Sequence, residues 1–250
     1  MEPRFMIKYG EKEHLEQIIK GTIRFAPSQE YINLEKALHN KGQGDLLEGK
    51  LKIKIQGGKI FHPETNEFLG YLPPNSTITI SIQDVNNMPV FCLSQYGDEY
   101  ITEYIDEQNY SISLSADKIS SIRSDFPKAT HALIIYEPNK FIKDITSISG
   151  HQFANGNIHY YDYDINPMQM YMYLCSGSEN IQTNTPLSMT YENRYRHLLC
   201  KDIAFSNQDE YRFIELNDLI TSPVFYPFEF TSKYQIIPIE QLVNPLPISI

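Results

Sequence analysis

The residues best placed for chemistry lie late in the chain, in Asn207-Gln208-Asp209-Glu210-Tyr211-Arg212-Phe213-Ile214-Glu215. Read as a strand, this stretch alternates with period two. Gln208, Glu210 and Arg212 share one face, and Tyr211 and Phe213 share the other. Two aromatics anchor one face in a core. The opposite face then carries an amide, a carboxylate and a guanidinium in a row, roughly 7 Å apart at two-residue spacing. Groups held on a strand act on a ligand with more precision than groups on a loop. The same alternation also describes a half-buried strand with a wet polar face, and the pattern alone does not separate the two.

The elements that must position this strand are legible in outline. Phe5 to Tyr9 reads as a short strand. Glu11 to Lys20 reads as a helix with Leu15, Ile18 and Ile19 on one stripe and acids in its first turn, where the helix dipole favours them. Gly21 is a natural C-terminal stop. Thr22 to Phe25 reads as a second strand, ended by Pro27-Ser28, and Gln29 to His39 as a second helix. Asn40 to Gly49 is a Gly-rich loop with two acids, Asp45 and Glu48, and without the phosphate-loop pattern. Lys50 to Ile82 alternates like antiparallel strands, with turns at Gly57-Gly58 and Pro73 to Ser76. Further strands are expected at Val90 to Ser94, His131 to Tyr136 and Ile158 to Tyr163, and a short helix at Pro167 to Ser176. Glu179 to Thr185 reads as a polar loop. Five Pro from position 223 onward predict an extended, meandering tail. The expectation is a single α+β domain over residues 1–250, mainly antiparallel, with a few helices.

Composition narrows the function. The chain has 250 residues, 41% hydrophobic and 21% charged, with 18 Tyr and no Trp, a globular balance. A net charge of −10 argues against general nucleic-acid binding. Three widely spaced Cys without a C-x-x-C fit a reducing, cytoplasmic setting rather than a disulfide or zinc framework. Met1 to Tyr9 is charged and unlike a signal peptide. No apolar run approaches the ~20 residues of a membrane span. The seven His have no metal-ligand spacing, so no metal site is expected.

The order of short motifs is also informative. A strand with Lys8-Tyr9 is followed by a helix ending in Gly21, a strand ending in Pro27-Ser28, and the loop Gly44-Asp45-Leu46-Leu47-Glu48-Gly49. Then come Phe91-Cys92-Leu93-Ser94 and finally Lys201, Phe205 and Asp209-Glu210-Tyr211-Arg212. This order resembles a family of uncharacterised bacterial and phage proteins. More distantly it is similar to ADP-ribosyltransferase-like folds, which use a basic or His residue on an early strand, a Ser or Tyr on a middle strand, and Gln/Glu-x-Glu on a late strand. The resemblance implies Glu210 and Gln208 as catalytic residues. It implies Lys8, Tyr9, Arg24, Ser28, Tyr31, Ser94 and Arg212 as the residues around an NAD molecule. It departs from the transferase motif where Gln95-Tyr96 follow Ser94, and no His stands on the early strand.

The implied chemistry is coherent. Breaking the nicotinamide–ribose bond builds oxocarbenium-like charge, which a fixed carboxylate stabilises. Gln208 would orient an acceptor, Arg or Lys would hold the pyrophosphate, and Tyr31 would stack on a ring. The expected function is NAD-dependent ADP-ribosyl transfer to a macromolecular acceptor, or NAD hydrolysis, in phage–host conflict. The alternative is a non-catalytic module on the same fold that senses or inhibits by binding a nucleotide or a protein partner. A nuclease is a third reading, with Asp45 and Glu48 as its Mg²⁺-binding pair.

Overall fold

The computed structural model describes residues 3–38, 45–62, 64–106, 109–164, 167–175 and 190–249. His39, the first half of the Gly-rich loop (40–44), Ser176 and the polar loop at 179–185 lie outside the described residues. Eight strands build the central sheet: β1 (Phe5–Gly10), β2 (Thr22–Pro27), β3 (Pro89–Tyr96), β4 (His131–Ile135), β5 (Phe153–Asn157), β6 (Glu210–Glu215), β7 (Val224–Pro227) and β8 (Tyr234–Pro238). Their order is β5–β6–β3–β1–β4–β8, with every neighbour antiparallel. The fold is mixed α+β with mostly antiparallel strands. No helix among the described residues is long and apolar enough to cross a membrane.

The decisive feature is one edge of β3. Residues 90–94 pair with β6 along that edge, placing Ser94 opposite Glu210 and Cys92 opposite Arg212. Its other edge is shared. The far half pairs with β1, Ile7 opposite Ser94. The near half pairs with β2, Ala26 opposite Val90 and Pro27 opposite Pro89. Between them, residues 91–93 have no strand on that side, so the sheet splits. β7 adds to the outer edge of β2.

Both faces of the sheet are covered, so its strands read as apolar runs rather than strict alternation. On one face Met6, Leu93, Leu133 and Phe213 meet α1 (Lys12–Ile19) through Leu15 and Ile18, and α4 (Pro138–Thr146) through Phe141 and Ile145. On the other, Phe5, Ile7, Tyr96 and Ile134 meet Ile122 of α3 (Ala116–Asp125) and the small sheet of residues 101–104, 109–112 and 246–249. Two corrections follow. The polar face of β6 is not wet: all six residues are buried, and Arg212 is fully enclosed. Nor do residues after 223 form a meandering tail. They supply β7, the edge strand β8 and the strand Leu246–Ser249, with Pro227 and Pro238 at strand ends, where the missing N–H is tolerated.

Candidate functional site

The split in the sheet is a cleft. Its inner part, about 150 Å³, reaches Lys8 and Tyr9 of β1, Arg24 of β2, Ser94 of β3, Gln208 and Glu210. Its outer part, about 530 Å³, opens past Thr22, His14 and Phe225. The two share Lys8, Tyr9, Arg24, Glu30, Tyr31 and Cys92. Small-molecule sites span about 300–1,000 Å³, so the two parts together are large enough for one. α2 (Gln29–Leu38) supplies Glu30 and Tyr31 to the wall.

Of the residues proposed from the sequence, Lys8, Tyr9, Arg24, Tyr31, Ser94, Gln208 and Glu210 converge on this cleft. Ser28 does not. It is fully buried, and its hydroxyl donates to the Val85 carbonyl at 2.9 Å, tying the end of β2 to the next turn. Arg212 also lines neither part of the cleft. It sits behind Glu210, where its Nη1 donates to Glu48 Oε1 and to the Leu198 carbonyl, and its Nη2 to Glu48 Oε2 at 3.0 Å. Gln208 is not on the strand with Glu210. It ends a 3₁₀ turn over Ile203–Gln208, and Asp209 then takes a left-handed conformation, φ 47°, before β6 begins.

Gln208 and Glu210 are joined instead through Lys201. Its ammonium donates to Glu210 Oε2 at 2.7 Å and to Gln208 Oε1 at 3.1 Å. Arg212 Nε donates to the other Glu210 oxygen at 2.5 Å. Burial alone would raise the Glu210 carboxyl, but Arg212 and Lys201 outweigh it and hold it well below the ordinary range. Burial would likewise lower Lys201 and Arg212, and their carboxylate partners, Glu210 first, overcome it and raise both. Glu210 is therefore held as a carboxylate near neutral pH, with both oxygens engaged and one side facing the cleft. Asp45 and Glu48 are buried rather than solvated loop acids. Glu48 is bidentate on Arg212, so both of its oxygens are occupied and the Mg²⁺ pair of the nuclease reading is not free. Burial, with Glu48 nearby, pushes Asp45 up to about 6.

Lys8 differs from the other cations. Among the described residues it makes no ion pair. Its ammonium donates to the Cys92 carbonyl at 2.5 Å in the gap of the sheet and lies 4.8 Å from the centroid of Phe91. Burial lowers its pKa, and Arg24 adds like charge. Arg24 itself holds both oxygens of Glu30 at 2.9 and 2.8 Å. Three cations, Lys8, Arg24 and Lys201, thus face two carboxylates, Glu30 and Glu210, a balance that suits an anionic guest.

The remaining groups are neutral donors and a ring. The Ser94 hydroxyl donates to the Gln208 carbonyl at 2.7 Å and fixes the turn before Glu210. Tyr9 shares a hydrogen bond with Tyr96 at 2.6 Å, and burial raises its pKa well above the ordinary phenol value. Tyr31 contacts Cys92 Sγ at 3.3 Å. Burial pushes the Cys92 thiol up to about 12, so it is no nucleophile near neutrality. Lys201, Glu30 and Tyr160 are the residues that motif reasoning left out of the site. Lys201 was visible as the first residue of the late motif. Tyr160 accepts the Glu210 backbone N–H at 3.0 Å, and only the folded chain reveals that. No protein-family model, curated protein or solved structure matches this chain.

Proposed function

We propose that the cleft binds NAD and that the chain breaks its nicotinamide–ribose bond, passing ADP-ribose to a macromolecular acceptor or to water. The observation that carries this reading is the meeting of the three motif strands. The late strand β6, the middle strand β3 and the early strand β1 are consecutive neighbours, with Ser94 opposite both Glu210 and Ile7. That is the arrangement expected if the chain has an ADP-ribosyltransferase-like fold. The chemistry divides among residues already in place. Lys8, the cation with no carboxylate of its own, takes the pyrophosphate. Tyr31 offers a ring to the nicotinamide or adenine. Glu210, ionised at any physiological pH, stabilises the oxocarbenium-like sugar.

A second reading rests on one specific observation. Both Glu210 oxygens are neutralised by Lys201 and Arg212, which weakens the field it can direct at a sugar. On that reading the chain is a binding module that holds the nucleotide intact.

Titration calorimetry with NAD, followed by an assay for released nicotinamide, tests both. The expected outcome is binding that weakens about 10–100-fold in Lys8→Met, the scale of one lost charged hydrogen bond, with nicotinamide released by the wild type. NAD bound and recovered intact selects the binding module. No heat at millimolar NAD with the wild type overturns both readings.

A further inference from the structure

At the far end of β6, roughly 17 Å from Glu210 at about 3.3 Å per residue, a second cluster of polar groups has no part in the cleft. Glu215 closes the strand and is fully buried. Its Oε2 accepts from the backbone N–H groups of Asn217 (3.0 Å) and Asp218 (2.5 Å). Among the described residues its Oε1 has no hydrogen-bond partner. A buried carboxylate oxygen left without a donor is expensive. That oxygen faces His151 Nδ1, 3.4 Å away, which likewise has no hydrogen-bond partner among the described residues. Asp218 Oδ2 stands 3.6 Å from the same nitrogen. The three atoms lie within 4.8 Å of one another.

We propose that His151 Nδ1, Glu215 Oε1 and Asp218 Oδ2 bind a divalent transition-metal ion, with Zn²⁺ the best fit. The spacing is long for hydrogen bonds. The two separations from Nδ1 suit ligands on one ion: two donors each about 2.0–2.2 Å from zinc and tetrahedrally disposed are about 3.4 Å apart. One imidazole and two carboxylates is an ordinary donor set for zinc. The partners behind the ligands are also in place. Tyr226 donates its hydroxyl to Asp218 Oδ2 at 3.2 Å, and the His151 ring packs on the Tyr226 ring at 4.4 Å. Hydrogen-bonded outer partners of this kind orient metal ligands. His151 and Asp218 are partly exposed, which leaves the fourth position to water. The ion joins the segment before β5, the end of β6 and the turn leading to β7.

The spacing of the His residues carries no sign of this site because His151 is far from the two acids along the chain. The β5–β6 pairing, Phe153 opposite Glu215, brings them together.

The test is a zinc titration of chelator-treated full-length protein by calorimetry, beside Asp218→Asn and His151→Gln. Asp218 is exposed enough that its variant should fold, and thermal melting of each protein without metal checks this. The expected result is one zinc per chain, a melting temperature that climbs with zinc concentration, and affinity at least 10-fold weaker in both variants. Bound Co²⁺ should give the visible absorption of a tetrahedral site. Zinc binding unchanged in two folded variants overturns the proposal. So does a wild type that takes up no zinc.

Discussion

Glu210 is a useful residue to mutate only if its two neighbours are considered with it. On a wet strand, Glu210→Gln would hardly disturb the fold. Between Lys201 and Arg212 it removes the charge that compensates two buried cations, and breaking a buried ion pair costs about 3–5 kcal/mol. We expect chemical denaturation at pH 7 to show a loss of that order. The sign of its pH dependence follows from the carboxyl being held low. The stability it contributes is complete above the unfolded value, near 4.3, and fades as pH falls further. The gap between wild type and Glu210→Gln should therefore narrow below about pH 4; a constant gap would mean the triad is not the cause. Asp45 behaves oppositely. The folded chain keeps its proton up to about 6, while the unfolded chain releases it near 4. Stability is then lost as pH rises through that window. Asp45→Asn carries no such charge, so it should gain on the wild type between pH 4 and 7, by on the order of 1–3 kcal/mol. Equal slopes for the two proteins across that window would refute the assignment.

Among the elements, the β1–α1–β2 unit sets the width of the cleft, and Gly21 sets the turn between α1 and β2. Its φ is +84°, and its N–H returns to the Ile18 carbonyl at 3.0 Å. A Cβ there would stand 2.5 Å from the Phe228 carbonyl oxygen. That oxygen is backbone and cannot rotate away, and Phe228 N–H is bonded to the Gly21 carbonyl at 2.9 Å. Gly21→Ala should cost about 2 kcal/mol or more, read as a lower urea midpoint; an unchanged midpoint would show that the β2–β7 ribbon shifts freely. This unit was legible in the sequence because its signals are local: an apolar helical stripe, a glycine stop and a proline end. The long run of strands over Lys50–Ser81 was legible for the same reason. α3 and α4 were not. α4 buries only Pro138, Phe141 and Ile145, too short a stripe to stand out beside an apolar strand. The wet-face reading of β6 fails for a non-local reason. The loop holding Glu48 and the segment holding Lys201 fold over it, and charge complementarity across 164 residues leaves no mark on periodicity. Gln208 was rightly set near Glu210 but for the wrong cause, since Lys201 and a left-handed Asp209 bring it there rather than strand alternation.

At the scale of the whole molecule, one strand joins everything. The central sheet draws on β1 near the start of the chain and β8 near its end, and β3 carries β6 on one side and both β1 and β2 on the other. A net charge of −10 surrounds a cleft lined by three cations and two carboxylates, so any anionic guest would meet favourable charge there. The unpaired stretch of β3 also gives the molecule a built-in reporter. Gln95 N–H points to Asp209 on the β6 side, and the Tyr96 carbonyl accepts Arg4 N–H on the other. By alternation Cys92 turns its N–H and C=O toward the gap, while Leu93 turns its own toward β6. The Cys92 amide deuterium clock should therefore run fast in the free protein and slow when the cleft is filled. The Leu93 clock, one residue along the same strand, should keep its rate. Read side by side by NMR, the two amides would register occupancy of the cleft by any guest, reactive or inert, before its identity is known. Equal slowing at both would instead mean that the guest stiffens the sheet without entering the gap.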